Sequence, residues 1–342
     1  MDDFVDPFSP DYPKQQQDSL DKITIRKKPV TPDDGVAVFS IMRDEYYFLP
    51  HFLNHYRKLG ARQIWIYADR CAPDMLAALE AEEDVGIITA DFTFGDTFGQ
   101  REGGMRIRLP DFLKAAFAPN HFRGRWVLIV DADEFFLAPP GFDGLDDFTA
   151  ALSKSGQHHC FAPMIDFYPR RLAEMENGGL NPFQLCPFFD RGPYHRFSQE
   201  GGRPDQRPTG VRHRILAYLA HNHPDDMRNI FSKFRSFGMA QPTNYKVPLI
   251  FYDGKTVTDS HWVNQPLNLA HHAALAHFKF YPGLKRKVEV ATGEGQYYRA
   301  SQHYKLLDLA IRKMSDVNLV WPDSVKFQGK KSLVDAGLLA PN

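Results

Sequence analysis

Apolar positions in the first part of the chain fall into short runs separated by segments with helical spacing. Val36 to Ile41 reads as a strand, and Phe48, Phe52, His55, Tyr56 and Leu59 then recur at helical intervals until Gly60 stops the helix. Ile64 to Tyr67 reads as the next strand, Asp74 to Ala81 as a second helix, and the run VGIITADF as a third strand. After a long polar, Gly-rich stretch, RLPDFLKAAFA predicts a helix and the apolar run Trp126 to Val130 a fourth strand. Strands alternating with helices at this spacing predict an α/β fold with a Rossmann-like, doubly wound, mostly parallel sheet. Such sheets bind ligands beyond the carboxyl ends of their strands.

The alternation loosens after Gly141. FDGLDDFTAALSKS predicts a helix, HHCFAPMIDFYP a strand, TNYKVPLIFYDGKTVTDSHW a hairpin turning at Asp253-Gly254, and LAHFKF a short strand. Between Arg170 and Pro208 there is little periodicity, but Phe183, Phe188, Phe189, Tyr194 and Phe197 argue for ordered loops. The segment GQYYRASQHYKLLDLAIRKM predicts an amphipathic helix with Tyr297, Tyr304, Leu307 and Ile311 on one face. Residues 1–35 carry Pro7, Pro10, Pro13, Pro29 and Pro32 and read as an extended arm, laid over the fold or disordered.

Composition narrows the options only partly. A chain of 342 residues with 43% hydrophobic content is long enough for one large core or two moderate ones, and its net charge of −1 gives no global attraction to nucleic acid or to an anionic membrane. Three widely spaced cysteines, Cys71, Cys160 and Cys186, suit a reducing compartment better than a disulfide framework. A cytoplasmic location is expected, with at most peripheral contact at the inner face of a membrane, because no apolar run is long enough to span one.

The chemistry concentrates where the fourth strand runs straight into Asp131, Asp133 and Glu134. Carboxylates so placed must be solvated, hydrogen-bonded or neutralised by a cation. If the strand continues through them, Asp131 and Asp133 share a face and can converge on Mn²⁺ or Mg²⁺, ions that take oxygen ligands together with substrate phosphates. Alternatively these acids cap the following turn. Asp69, at the end of the strand IWIYA, suits a nucleoside hydroxyl or base N–H, and Asp74 suits an N-cap.

SIMRDEYYFLPHFLNHYRKLGARQIWIYADRCAPD followed by RWVLIVDADEFF resembles the nucleotide-binding half of bacterial family-2-type glycosyltransferases, which have the GT-A fold and a DxD motif. The resemblance is strong over residues 36–141 and thinner through IDFYP, CPFFDRGPY, TGVRHR, NYKVPLI, SHW and LAHFKF to GQYYRASQHYK. It implies an N-terminal arm (1–35), a nucleotide-sugar-binding part (36–141), an irregular acceptor-binding part (142–285) and a C-terminal helical segment (286–342). It further implies transfer, with inversion, of a sugar from a UDP- or GDP-sugar to a saccharide or lipid-linked saccharide, as in surface polysaccharide or glycan synthesis. Arg43, Asp44 and Asp69 would then contact the nucleoside, Asp131 and Asp133 the metal-bound diphosphate, and His277 the same metal. Two positions depart from the pattern: DRCAPD replaces the usual DNxSxD, and Asp44 replaces an Asn.

Arg212, in RPTGVRHRI, and Lys246, in NYKVPL, read as phosphate or acceptor contacts or as ordinary surface cations. Lys285 and Lys287 read as a solvated face. Inverting transfer needs a base for the acceptor hydroxyl. Asp166, at the end of a strand, and Asp190, in the irregular segment, are the candidates, each of which would otherwise hold a neighbouring Arg170 or Arg191. Glu134 either supports the site or faces solvent. The rival readings are a HAD-like phosphatase using Asp131 as nucleophile, and a non-catalytic nucleotide- or carbohydrate-binding protein on the same fold. The pair His271 and His272 lacks the spacing of a zinc hydrolase.

Overall fold

Nine strands build the central sheet of the computed structural model: β1 (Thr24–Lys27), β2 (Ala37–Met42), β3 (Gln63–Ala68), β4 (Val85–Thr89), β5 (Trp126–Ile129), β6 (Glu134–Leu137), β7 (His159–Phe167), β8 (Tyr245–Phe251) and β9 (Ala274–Phe278). The structure describes residues 6–7, 9–93, 96–100, 106–196, 204–231, 244–258, 261–267, 269–294 and 298–341. Across the sheet the order is β1-β4-β3-β2-β5-β8-β7-β9-β6. Six of these nine strands, β2 to β5 with β7 and β9, run in one direction, and β1, β6 and β8 oppose them. The α/β, mostly parallel architecture expected from the alternation is therefore present.

The parallel half is built as its sequence dictates. Helix α1 (Phe48–Lys58) follows β2 and turns Phe48, Leu49, Phe52, Leu53 and Tyr56 inward. Each such side chain contributes roughly 1.5–3 kcal/mol when fully buried. Helix α2 (Pro73–Glu80) follows β3 and buries Met75 and Leu79 on the same side. Alternation along β2 sends Val38 and Met42 into this layer and Ala37 and Phe39 into the opposite one. There Phe39 meets Trp65, Phe112, Phe117 and Phe122, supplied by β3 and by the helical run through Leu109–Phe112, Leu113–Phe117 and Ala118–His121. The middle of that run, Leu113–Phe117, widens into a π-type turn.

Several expectations need correction. Residues 12–27 include two short helical turns, Tyr12–Gln15 and Gln17–Leu20, and β1, which adds antiparallel to β4; the phenol of the fully buried Tyr12 donates to the Phe98 carbonyl. Asp74 does not cap α2, because Ala72 holds the N-cap position and Pro73 begins the helix. The hairpin at Asp253-Gly254 does not form among the described residues; β8 instead inserts antiparallel between β5 and β7. Pro248, which has no N–H to give, sits where its register with β7 shifts. The remaining helices used below are α3 (Leu145–Lys154), α4 (Val211–Asn222), α5 (Leu284–Glu294) and α6 (Tyr298–Met314). Leu307 of α6 is buried and Ile311 packs partly against the core, whereas Tyr297, like Phe197, lies outside the described residues.

Candidate functional site

Strand β5 ends at Ile129, so the carboxylates that follow it lie in a turn and not along one strand face. Chain direction resumes with β6, whose first residue is Glu134. Asp131 and Asp133 therefore leave the strand in a turn, and each is held by a different lysine, Lys246 and Lys279. Antiparallel pairing of β6 with β9 places Glu134 opposite His277, and parallel pairing of β9 with β7 places His277 beside Asp166. Three strands thus gather the buried Glu134, His277 and Asp166 beside Asp133, which lines a cleft.

The floor is neutralised by lysines. Lys246, on β8, donates to Asp131 Oδ2 at 2.7 Å and to Glu134 at 2.6 Å (Oε1) and 2.8 Å (Oε2). Glu134 is only 1% exposed and also accepts from the Asp131 amide at 3.0 Å, so it is an integral part of the floor and does not face solvent. Burial opposes the charge of Lys246, but Asp131 and Glu134 hold its pKa above the ordinary lysine value. Lys114 Nζ, from the π-type turn, lies 3.9 Å from Asp131 Oδ1, and Lys279 pairs with Asp133 Oδ2. Three ammonium groups face three carboxylates, which answers how the chain tolerates the acidic cluster.

Behind Asp133 lies a second chain of contacts. His277 Nδ1 donates to Asp166 Oδ1 at 2.6 Å, and Arg212 Nε donates to Asp166 Oδ2 at 2.6 Å. Asp166 is 3% and His277 is 2% exposed. Burial alone would raise the Asp166 carboxyl, but the Arg212 guanidinium and the His277 N–H hold it well below the usual carboxylate range. Burial, with Lys279 nearby, lowers His277 and keeps the ring neutral. A neutral ring that gives its proton at Nδ1 presents a lone pair at Nε2, and Nε2 stands 3.7 Å from Asp133 Oδ2. Arg212 reaches Asp166 from the first turn of α4, and not from a loop, because Gly210 caps that helix at φ +97°, a backbone conformation that favours glycine.

Asp133, Glu134 and His277 each bring a ligand atom within 4.8 Å of the others. Two carboxylates and an imidazole are donor types that a hard or borderline divalent cation accepts, and Nε2 and Oδ2 stand 3.7 Å apart. The carboxylate behind the imidazole is the arrangement that fixes the tautomer of a metal-ligating histidine. The donor types fit, and they bring in Glu134; Lys279 on Asp133 Oδ2 and Lys246 on Glu134 hold the places a cation would take.

The cleft in front of this floor has a volume of about 220 Å³ and is lined in part by Arg43, Asp69, Lys114, Asp131, Asp133 and Lys279. Asp69 is buried at the end of β3 and accepts from its neighbour Arg70 at 3.0 Å, while its amide donates to Met42 O at 2.9 Å. Asp44, at φ +53°, accepts from the Ala72 amide at 2.8 Å and lines an adjoining chamber, not this cleft. Asp190 stands apart: it is fully buried, receives Arg214 at 2.9 Å on each oxygen and Trp321 Nε1 at 3.1 Å, and also holds the Tyr168 hydroxyl. Its partner is thus Arg214, and Asp166 is held by Arg212; Arg170 and Arg191 take neither place. Lys287, expected in solvent, pairs with Glu45 beside the cleft, whereas Lys285 is exposed near Glu176. Lys114 is the participant that sequence reasoning missed; Glu134 takes the supporting role that was one of its two alternatives, and Lys287 was assigned to solvent.

No helix among the described residues is long and apolar enough to cross a membrane. No family model and no curated protein matches the sequence. Among solved structures, a UDP-glucose pyrophosphorylase complexed with UDP-glucose is similar at 10% identity over 54% of this chain and 79% of that chain, with a TM-score of 0.23, a likeness too slight to transfer any property.

Proposed function

We propose that this protein is a metal-dependent glycosyltransferase that binds a nucleoside-diphosphate sugar in the 220 Å³ cleft and transfers its sugar to a saccharide hydroxyl. The observation that carries the reading is the Asp166–His277–Asp133 series, whose outer pair presents two lone pairs 3.7 Å apart at the carboxyl ends of strands β7 and β9 and of the turn after β5. Asp133 and His277, with Glu134 beside them, would hold Mn²⁺ or Mg²⁺. A divalent ion there supplies Lewis-acid stabilisation of the departing diphosphate.

This chain's own residues do the rest. Lys114 and Lys279 on the cleft wall offer ammonium groups to the phosphate oxygens, and an incoming diphosphate with its cation adds little net charge to a floor already balanced. Asp69 and Arg43 line the end toward β2 and β3, where a nucleoside's hydroxyl or base N–H meets an acceptor carboxylate. Asp166 is a positioning residue: both of its oxygens are engaged, so it orients His277 and does not serve as the base. Lys246, Arg212 and Asp190 lie behind or away from the cleft and hold structure. The resemblance of RDEYYFLPHFLNHYRKLG and VDADEFF to family-2-type transferases agrees with this assignment.

The test is direct. UDP and GDP are each added to the protein with MnCl₂ or with EDTA while its melting temperature is recorded. The reading expects stabilisation by one nucleotide that needs the metal, and Mn²⁺-dependent hydrolysis of the matching nucleotide sugar. Hydrolysis of an aryl phosphate with no response to either nucleotide would refute it in favour of a phosphatase.

A further inference from the structure

A second chamber of about 470 Å³ adjoins the cleft, and Arg43, Glu45 and Lys287 line both spaces. Its volume lies in the range of small-molecule sites. Three tyrosines give it an aromatic wall. Tyr46 is 48% exposed, yet its hydroxyl donates to Asp74 at 2.8 Å, which fixes an open ring in place. Tyr47 and Tyr281 stack at 6.2 Å between centroids, and the Tyr47 hydroxyl is held by the Leu180 carbonyl at 2.9 Å. Tyr281 is only 6% exposed, and its hydroxyl has no hydrogen-bond partner among the described residues. That hydroxyl is itself sealed from solvent, so Tyr281 contributes its stacked ring to the wall. Arg286 also lines the chamber and makes no ion pair among the described residues. Of the acids in the wall, Asp44 accepts from the Ala72 amide, and Glu45 pairs with Lys287 through one oxygen, Oε1.

We propose that this chamber is the acceptor subsite and that it takes a saccharide bearing an acidic group, a uronate or a sugar phosphate. The open Tyr46 ring packs on the apolar face of a sugar, and Arg286 pairs with its acid group. The inference rests on the donor reading above. It also assigns Glu45 as the base, because Glu45 stands in the wall common to both spaces. The acceptor hydroxyl gives its proton to the Glu45 carboxylate while its oxygen bonds the anomeric carbon. The bond from that carbon to the diphosphate oxygen breaks, and its electron pair leaves with the diphosphate.

Saturation-transfer NMR with methyl β-glucuronide and methyl glucoside 6-phosphate, alongside neutral methyl glucoside, tests the chamber. Binding of at least one acidic glycoside is expected, weakened at least tenfold by Tyr46→Ala and by Arg286→Ala, with Mn²⁺-UDP or Mn²⁺-GDP affinity within twofold of the parent. Failure of both acidic glycosides to bind, or binding that both substitutions leave unchanged, overturns the subsite while metal-dependent nucleotide binding keeps the donor reading intact. Glycoside binding with these losses and no nucleotide binding overturns the donor reading instead. Glu45→Gln is expected to retain both ligands and to lose at least tenfold in sugar transfer, and undiminished transfer overturns its assignment as the base.

Discussion

Replacing Asp166 by asparagine keeps the shape of the side chain and removes its charge. In the parent protein one oxygen receives the His277 Nδ1 proton at 2.6 Å and the other receives Arg212 Nε at 2.6 Å, within a residue only 3% exposed. An amide offers one acceptor and one donor. Arg212 can only donate, so the asparagine oxygen turns to it and the NH₂ faces His277. The imidazole then accepts at Nδ1 and carries its proton at Nε2, directed at Asp133 Oδ2, and the lone pair for a metal is gone. Loss of an orienting carboxylate of this kind costs about 10–100-fold in metal affinity, or about 1.4–2.7 kcal/mol. The buried guanidinium, left with a neutral partner, adds a stability cost of about 2–4 kcal/mol, somewhat below that of removing the partner outright. Electron paramagnetic resonance titration of Mn²⁺ reads the first effect, urea unfolding the second, and long-range ¹⁵N–¹H spectra of labelled histidines the tautomer. Asp190→Asn is the control, because it breaks a buried arginine pair away from the cleft: it should cost similar stability and leave Mn²⁺ affinity unchanged. Equal Mn²⁺ affinity and an unaltered His277 tautomer in Asp166→Asn would refute the reasoning.

Three further outcomes follow from the same contacts. Lys246→Met leaves Glu134 buried with its ammonium partner removed, and about 3–5 kcal/mol of unfolding free energy should be lost in urea titrations. Tyr56→Phe removes a hydroxyl that donates to Glu134 O at 2.8 Å and accepts from the Phe136 amide at 3.2 Å; a loss of about 1–3 kcal/mol is expected, with faster amide exchange in β6. Acid should destabilise the fold through its buried histidines. Burial depresses His55 to about 4, against a bond from its Nε2–H to Phe136 O at 2.9 Å. The unfolded chain, with a histidine pKa near 6.5, therefore takes up the proton first, and the His55 contribution is complete above about pH 6.5 and lost as pH falls toward 4. That interval corresponds to about 3 kcal/mol at about 1.36 kcal/mol per pH unit, and His55→Gln, which donates without titrating, should flatten the fall in stability measured between pH 7 and pH 5.

The parallel half of the sheet was legible because its determinants are local. Apolar runs, helical spacing and Gly60 place β2, α1, β3, α2 and β4 within a residue or a few of the observed bounds, since each strand–helix–strand unit packs against its own neighbours. The other half was not, because β8 pairs with strands about 80–125 positions away in the chain, and no periodicity records a partner at that distance. The same separation hid the site's electrostatics. Glu134 meets Lys246 across 112 positions and Asp133 meets Lys279 across 146, contacts that only the register of β6, β8 and β9 creates. One local signal was present: Glu134 opens the run EFFL, and a carboxylate inside an apolar strand implies a buried partner. Asp131, Asp133, Asp69 and His277 were identifiable as ends of strands or of the turn after one. Which of them share a ligand depended on where β5 stops, and DADE does not show that.

A metal-dependent nucleotide site is tested most directly by one titration, the affinity of UDP and GDP for the protein in MnCl₂ and in EDTA, repeated with His277→Ala. One nucleotide should bind at least tenfold more tightly with Mn²⁺ than in EDTA, and His277→Ala should remove that advantage while the protein remains folded. Nucleotide affinity that is the same with Mn²⁺ and with EDTA, or a metal effect that survives His277→Ala, would contradict it.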